Sequence, residues 1–414
     1  MTKHVMIFGS GNGDLPSRIR GLEEGVRTTL VCRPDHLHRL VEPERHERLL
    51  VLGADRSVEE CVGLAEVVHR ADPVTHIATL GEHDQDRAAA VGAALGVGTH
   101  SVETVRLAHH KDLMRLRLAE LGVDGTPAEA VHDVDALRSF AKRHGFPVVV
   151  KPVGGLASFG VSIVRDEAAI EEAFVRADKS AEHGWHRSLG VFAEAYLDGP
   201  EYSVEALSED GEHVVLAVTA KHTDPATRIE LGHVVPAPLT DEVRAECESL
   251  ALRVIDAIGV RFGATHTEII LTRDGPRVIE THVRMGGDEI WELVHDAIGV
   301  DLIDAQLRQS VGQKVLPDVR ATLAESRPPR ASAIWFATPP PVGELVEVIE
   351  PQEPDAIVGV GVRPGVVFTG LISSYSRPAS ARCGAESARE ALTLAKRAAE
   401  GISFVTRVSG ALPA

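Results

Sequence analysis

Apolar and polar positions along this chain switch repeatedly between a period of two and a period near four. Residues 4–10 (His4-Val5-Met6-Ile7-Phe8-Gly9-Ser10) are a short apolar run closing on small residues, and 28–32 and 75–80 are similar runs. Helical spacing fills the stretches near 57–70 and 84–95. Strand and helix in alternation predict a parallel sheet flanked by helices. A helix is expected over 102–121, capped by Ser101 or Thr104 and stopped by Gly122, and another from Asp133 to Gly145. Phe146–Pro152 reads as a buried strand that delivers Lys151. A small-residue loop, Val153–Val161, separates it from the strand Val161–Val164 and a helix starting at Asp166. Its backbone suits close approach to phosphates, and two short strands around such a loop predict a lid.

More strands are expected over 191–221, a helix over 243–258, a hairpin over 263–284 and helices over 288–298 and 301–311. The last segment reads as strands at 332–337, 345–349 and 366–374 and a helix over 385–400, after the linker Arg327-Pro328-Pro329-Arg330.

The hairpin carries the most specific chemistry. Glu268 lies in Thr265–Leu271 and Glu280 in Arg277–Gly287, both strand-like, with Thr272-Arg273-Asp274-Gly275-Pro276 between them. A two-residue Asp-Gly turn would set the two carboxylates on opposite faces. A three-residue loop over 273–275, with Gly275 left-handed, pairs them directly, and this is the expected register. Their Cβ atoms would then be roughly 4.5–5.5 Å apart, with His282 and Arg284 on the same face. Carboxylates that close repel unless a cation lies between them, and oxygen ligands favour Mg²⁺. The plainer alternative is two solvated glutamates.

Composition narrows the setting. The 414 residues allow two to four domains. A formal charge of −18 argues against nucleic-acid partners. No apolar run is long enough to predict a membrane span. The chain start leads straight into a strand, so no signal peptide is read, and Cys32, Cys61, Cys247 and Cys383 show no metal or disulfide spacing. A cytoplasmic setting is expected. Only eight basic residues are lysine, so a lysine in a strand suggests a need for a compact ammonium. Gly9-Ser10-Gly11-Asn12-Gly13 lacks the third glycine of a dinucleotide fingerprint and reads as a strand-to-helix turn.

In order, Lys111, Lys151 with its glycine loop, Glu194 with Glu201, and Glu268 with Glu280 resemble the ATP-grasp superfamily over about 105–310. The resemblance implies an α/β fold, α+β in its central part. It would comprise a Rossmann-like parallel domain (1–104), a small subdomain with the lid (105–190), a large antiparallel subdomain (191–326) and a C-terminal α+β extension packing on it (327–414). It implies that Lys111, Lys151, Gly154, Gly155, Ser158, Phe159 and Gly160 contact the phosphates of ATP. The backbone at Glu194 and Tyr196 would meet the adenine and Glu201 the ribose. Lys221 and His222 fall where phosphate- or substrate-facing groups lie. Glu268 and Glu280 would hold Mg²⁺ across the β- and γ-phosphates.

The family usually carries Asn where this chain has His282. Imidazole is a poorer ligand for Mg²⁺, so His282 touches the metal weakly, favours Mn²⁺ or serves the substrate. Arg284 resembles the arginine that clamps an acyl phosphate, and Gly286 and Gly287 the backbone that approaches the substrate carboxylate. His266-Thr267-Glu268, the segment Glu230–Pro238 with His233, and Arg377, Arg382 and Gly384 before a helix resemble bacterial L-amino acid ligases. That implies amide or dipeptide synthesis through an acyl phosphate, with Trp291 restricting the acyl-side pocket or, alternatively, packing as a core residue. The substrates implied are a carboxylate and an amine, and a homodimer is the default assembly. Two rival readings share the ATP residues: a carboxylase of the purine or biotin type, and a non-catalytic nucleotide-binding protein.

Overall fold

In the computed structural model, residues 2–154, 159–179, 189–225, 227–325, 330–351 and 355–407 are described. Four strands, β1 (His4–Phe8), β2 (Arg27–Cys32), β3 (Arg48–Val51) and β4 (His76–Thr79), form a parallel sheet in the order β3-β2-β1-β4. The order reverses direction between β1 and β4, which opens a crevice beyond their carboxyl ends. Gly9, Gly11 and Gly13 all take positive φ there, so the glycine run is the tight turn its spacing predicts.

A second sheet is antiparallel: β5 (Ala128–Val131), β6 (Val148–Pro152), β7 (Ser162–Val164) and β8 (Val191–Ala195), in the order β5-β8-β6-β7. The sequence division at 190/191 cuts this sheet, because β8 pairs with β5 and β6 rather than opening the next segment. The helix expected over 102–121 is two helices, Val102–His109 and Lys111–Glu120. His110 is extended between them, and the Lys111 amide instead donates to the Val153 carbonyl at 3.4 Å.

The largest sheet begins with β9 (Glu201–Glu209), β10 (Glu212–Thr223), β11 (Glu230–Val235), β12 (Gly263–Thr272), β13 (Gly275–His282) and β14 (Ala331–Phe336). The chain then leaves for β15 (Gly343–Ile349), returns as β16 (Ile357–Val360), forms β17 (Val367–Phe368), returns as β18 (Ala379–Ala385), and ends the described strands with β19 (Ser403–Arg407). The eight-stranded order is β13-β12-β9-β10-β11-β14-β18-β16, while β15, β17 and β19 make a separate small sheet. The strand expected over 366–374 is only Val367–Phe368, because Gly365 and Gly370 take positive φ on either side. Cys247, Leu250, Ala391 and Ala395 from two helices bury one face of the large sheet, and Leu293, Val294 and Leu302 bury the other. Ile303, Leu307 and Val311 also pack on Val5, Ile7 and Leu15, which docks the parallel sheet beside the large one.

Candidate active site

Between the small and large sheets lies a cavity of about 540 Å³. On the small-sheet side, Lys151 stands near the end of β6, and Glu194 lies on the neighbouring β8, paired with Val149 two residues before it. Lys151 Nζ donates to Glu194 Oε1 at 2.6 Å, and Arg115 Nη2 donates to Glu194 Oε2 at 3.0 Å. Burial raises the Glu194 carboxyl, but Lys151 and Arg115 outweigh it and hold it below its ordinary value. Sequence reading used only the backbone of Glu194; its side chain also fixes the buried Lys151 ammonium. Tyr196 and Phe159 line the same cavity. Gly154 and Gly160 sit outside its lining, and Gly155 and Ser158 lie outside the described residues.

The large-sheet wall is built by β9 to β13. Lys221 Nζ lies 2.6 Å from Glu268 Oε1, 3.0 Å from Glu201 Oε1 and 3.6 Å from Glu230 Oε1. Burial works against the ammonium, yet Glu268, Glu201 and Glu230 raise it well above the usual lysine value. Lys111 Nζ lies 2.6 Å from Glu280 Oε2. Burial raises Glu280, but Lys111 and then His282 hold it well below its ordinary range.

Glu268 and Glu280 stand directly opposite each other, as do His266 and His282. The cause differs from the one expected. The loop is the two-residue turn Arg273-Asp274, closed by Thr272 against Gly275, not a three-residue loop. The register then slips between Glu268 and Ile269, where an extra residue, Ile279, bulges out of β13. Ile279 and Glu280 consequently both line the cavity while Val278 enters the core.

Glu268, Glu280 and His282 offer ligand atoms within 4.8 Å of one another. Two carboxylates and an imidazole are a donor set that fits a hard divalent cation, the imidazole least well. His282 Nδ1 lies 2.8 Å from Glu82 Oε1, and Arg284 Nε donates to Glu82 Oε2 at 2.8 Å. Burial raises Glu82, but His282 and Arg284 keep it ionised well below its usual value. Glu82 was not read from the sequence. Its signal was available: it lies three residues past the end of β4, at the carboxyl end where parallel sheets place ligands.

Two further groups were also missed. Glu205 is buried beneath the wall, with His266 Nδ1 at 2.9 Å from Oε2 and Ser203 and Thr219 hydroxyls donating to Oε1. Burial opposes the His266 imidazolium, but Glu205 and Glu268 raise it to about 9, so it carries positive charge against Glu268. Asp288, with φ at +54°, takes two guanidinium donors from Arg377 and the Nε2 side of His233 at 3.0 Å. Burial raises Asp288, but His233 and Arg377 push it far down. Gly287 lines the cavity, whereas Gly286 lies behind it: a Cβ there would come within 2.9 Å of His266 Nδ1. Trp291 does not line this cavity but a second one. Lys221 and His233 line the first, and His222 does not.

Residues 144–292 match the ATP-grasp domain family. The chain carries an ATP-grasp domain. Around that domain, the fold superimposes on an L-amino acid ligase from Bacillus licheniformis with a TM-score of 0.79, at 22% identity, covering 98% of this chain and 99% of that one. A biotin carboxylase domain of a Hydrogenobacter thermophilus 2-oxoglutarate carboxylase, solved with MgADP and bicarbonate, aligns with a TM-score of 0.69 at 18% identity over 97% of this chain and 90% of that one. In sequence, alanine–anticapsin ligase of Bacillus subtilis is 26% identical over 232 residues, 50% of this chain and 48% of that protein. The chain spans 47–61% of the length of the first curated relatives it matches. Among the described residues, no helix is long and apolar enough to cross a membrane.

Proposed function

We propose that the ATP-grasp domain serves an ATP-dependent carboxylate–amine ligase that forms an amide or dipeptide through an acyl phosphate. The observation that carries this reading is the single cavity into which Lys151–Glu194, Glu201–Lys221, the Glu268–Glu280–His282 cluster and Arg284 all open. Lys111 and Lys151 would contact phosphate oxygens, with Tyr196 beside the base and Glu201 on the ribose. A divalent cation held by Glu268 and Glu280, Mg²⁺ or alternatively Mn²⁺, would neutralise charge spreading over the transferred phosphoryl group.

Arg284 lies two residues after His282, just past the end of β13, and lines the same cavity; a guanidinium there suits the oxygens of an acyl phosphate. The substrate carboxylate attacks the γ-phosphorus, ADP leaves, and an amine then displaces phosphate. Gly286 and Gly287 would let backbone approach the acyl group, and His233, held by Asp288, would face the substrate. The lid after Lys151 would exclude water from the acyl phosphate.

The test is phosphate release from ATP and Mg²⁺ across paired amino acids, with bicarbonate as a separate arm. A signal that needs two amino acids supports the ligase. A signal that needs bicarbonate moves the assignment to carboxylation, the activity of several structural relatives. Arg284→Ala is expected to retain ATP binding and lose amino-acid-dependent release; unchanged kinetics would remove Arg284 from this role.

A further inference from the structure

A second cavity, of about 510 Å³, meets the first at Glu82, Arg284 and Met285. It follows β4, the edge strand of the parallel sheet, from Thr75 to Glu82, and ends near Gln313 and Lys314. Leu15, Ile77, Ala78, Met285, Trp291 and Ile303 make its middle apolar. The polar groups along it are largely committed to the protein. Gln306 Nε2 donates to the Thr79 carbonyl at 2.8 Å, and Gln309 Nε2 to the Ser208 carbonyl at 2.9 Å. His100 is different: its Nδ1 is buried with no hydrogen-bond partner, and its ring lines the cavity. The volume is in the range of small-molecule sites.

We infer that this cavity holds the amine substrate, a primary amine with an apolar body of amino-acid size or larger. The inference rests on the ligase reading above. In that reading the nucleotide and the carboxylate fill the first cavity, because Lys151, Glu201 and the metal cluster lie there. The acyl carbon is then next to Arg284, with the phosphate on its nucleotide side. A nucleophile must arrive from another direction, and the second cavity opens on the same guanidinium. Glu82 marks the junction. When Arg284 turns to the acyl phosphate, Glu82 Oε2 is released to accept from the incoming amine. The ammonium first loses one proton to solvent. The C–N bond then forms as the C–O bond to phosphorus breaks, and the departing phosphate takes the second proton. The apolar lining would shelter the neutral amine from solvent.

The test separates this assignment from the reading beneath it. Each of the standard L-amino acids is supplied with ATP, Mg²⁺ and hydroxylamine, a nucleophile too small to need the cavity, and hydroxamate is measured. Amide formation from the paired amino acids is measured beside it. No hydroxamate and no amide from the unaltered protein would sink the acyl-phosphate reading itself. Given both products, Ile303→Trp, which fills the cavity, is expected to lower the amide-to-hydroxamate ratio at least tenfold. Trp291→Ala, which enlarges it, is expected to shift the preferred amine to a bulkier one, and it carries the test if the tryptophan variant does not fold. A ratio and an amine preference both within twofold of the unaltered protein would overturn the assignment.

Discussion

His282 is the residue at which this chain departs from the pattern it otherwise resembles, and its surroundings indicate what the exchange does. Nδ1 is taken by Glu82 at 2.8 Å, which leaves Nε2 directed at Glu280, 3.5 Å from Oε1. A partnered Nδ1 fixes the ring so that Nε2 is the ligand atom. Nitrogen is a softer donor than an amide oxygen, which favours Mn²⁺ relative to Mg²⁺. His282→Asn is therefore expected to lower the ratio of Mn²⁺- to Mg²⁺-supported ADP formation; an unchanged ratio would place His282 outside the metal's reach. Glu280→Gln tests the cluster more directly. It keeps the shape of the side chain but removes the charge opposite Lys111 and the cation site. Turnover is expected to fall by about 10²-fold or more, a loss typical of removing one electrostatic group from a reacting centre, with the circular-dichroism spectrum retained. Near-normal ADP release would remove Glu280 from the site. At this scale Lys151 and the two glutamates were legible because a charged residue in an apolar strand is conspicuous, whereas Lys111, which opens the helix Lys111–Glu120, was marked by the resemblance alone. Glu205 was not, since pairing it with His266 requires the β9–β12 register, which no local pattern carries.

The hairpin of β12 and β13 shows how an element can satisfy a sequence argument by a different route. The two carboxylates face each other as their strands required, but through a tight turn plus a bulge rather than a longer loop. Turn length and bulge each move the register by one, and a one-residue move exchanges the faces. Sequence fixes their sum, because the buried face must stay apolar, and leaves the division between them open. The loop before β9 is more tightly constrained. Gly199 has φ at +152°, and a Cβ there would lie 2.1 Å from the Leu271 carbonyl oxygen. The Leu271 amide also donates to the Pro200 carbonyl at 3.0 Å, so this loop is stitched to β12 just before Glu201. Gly199→Ala must move one of the two segments. It is expected to destabilise the protein by more than about 1 kcal/mol, read as a lower urea midpoint at unchanged slope. The KM for ATP should rise with it, because Glu201 follows two residues later. A midpoint equal to that of the unaltered chain would show that the loop relaxes freely.

For the whole molecule, three of the four strands of the parallel sheet were readable as apolar runs; β3 was not, since it is four residues long, half-buried and separated from β2 only by short 3-10 turns. The eight-stranded sheet was not, since β14, β16 and β18 join it from the far end of the chain and no local period records that pairing. The contact between the two sheets has its own signature in His100. Its ring stacks on Phe262 with centroids 5.4 Å apart, just before β12, while its Nδ1 is buried. Burial pushes its pKa down to about 4. A histidine whose folded pKa lies below its unfolded value is bound to fewer protons when folded, so it favours folding above the unfolded value of about 6.5. That contribution is lost as pH falls from there towards 4, at no more than about 1.4 kcal/mol per pH unit. The buried His4 and His46 and the half-buried His76 are shifted the same way, so the whole acid limb is shared. The part due to His100 is isolated by difference. His100→Gln removes the titrating group while keeping a polar side chain of similar size. Its loss in urea midpoint between pH 7 and pH 4.5 is expected to be smaller than that of the unaltered chain, by an amount equivalent to about 2 kcal/mol. Equal losses in the two proteins would mean that His100 takes up its proton without opening the junction between the parallel sheet and the large one.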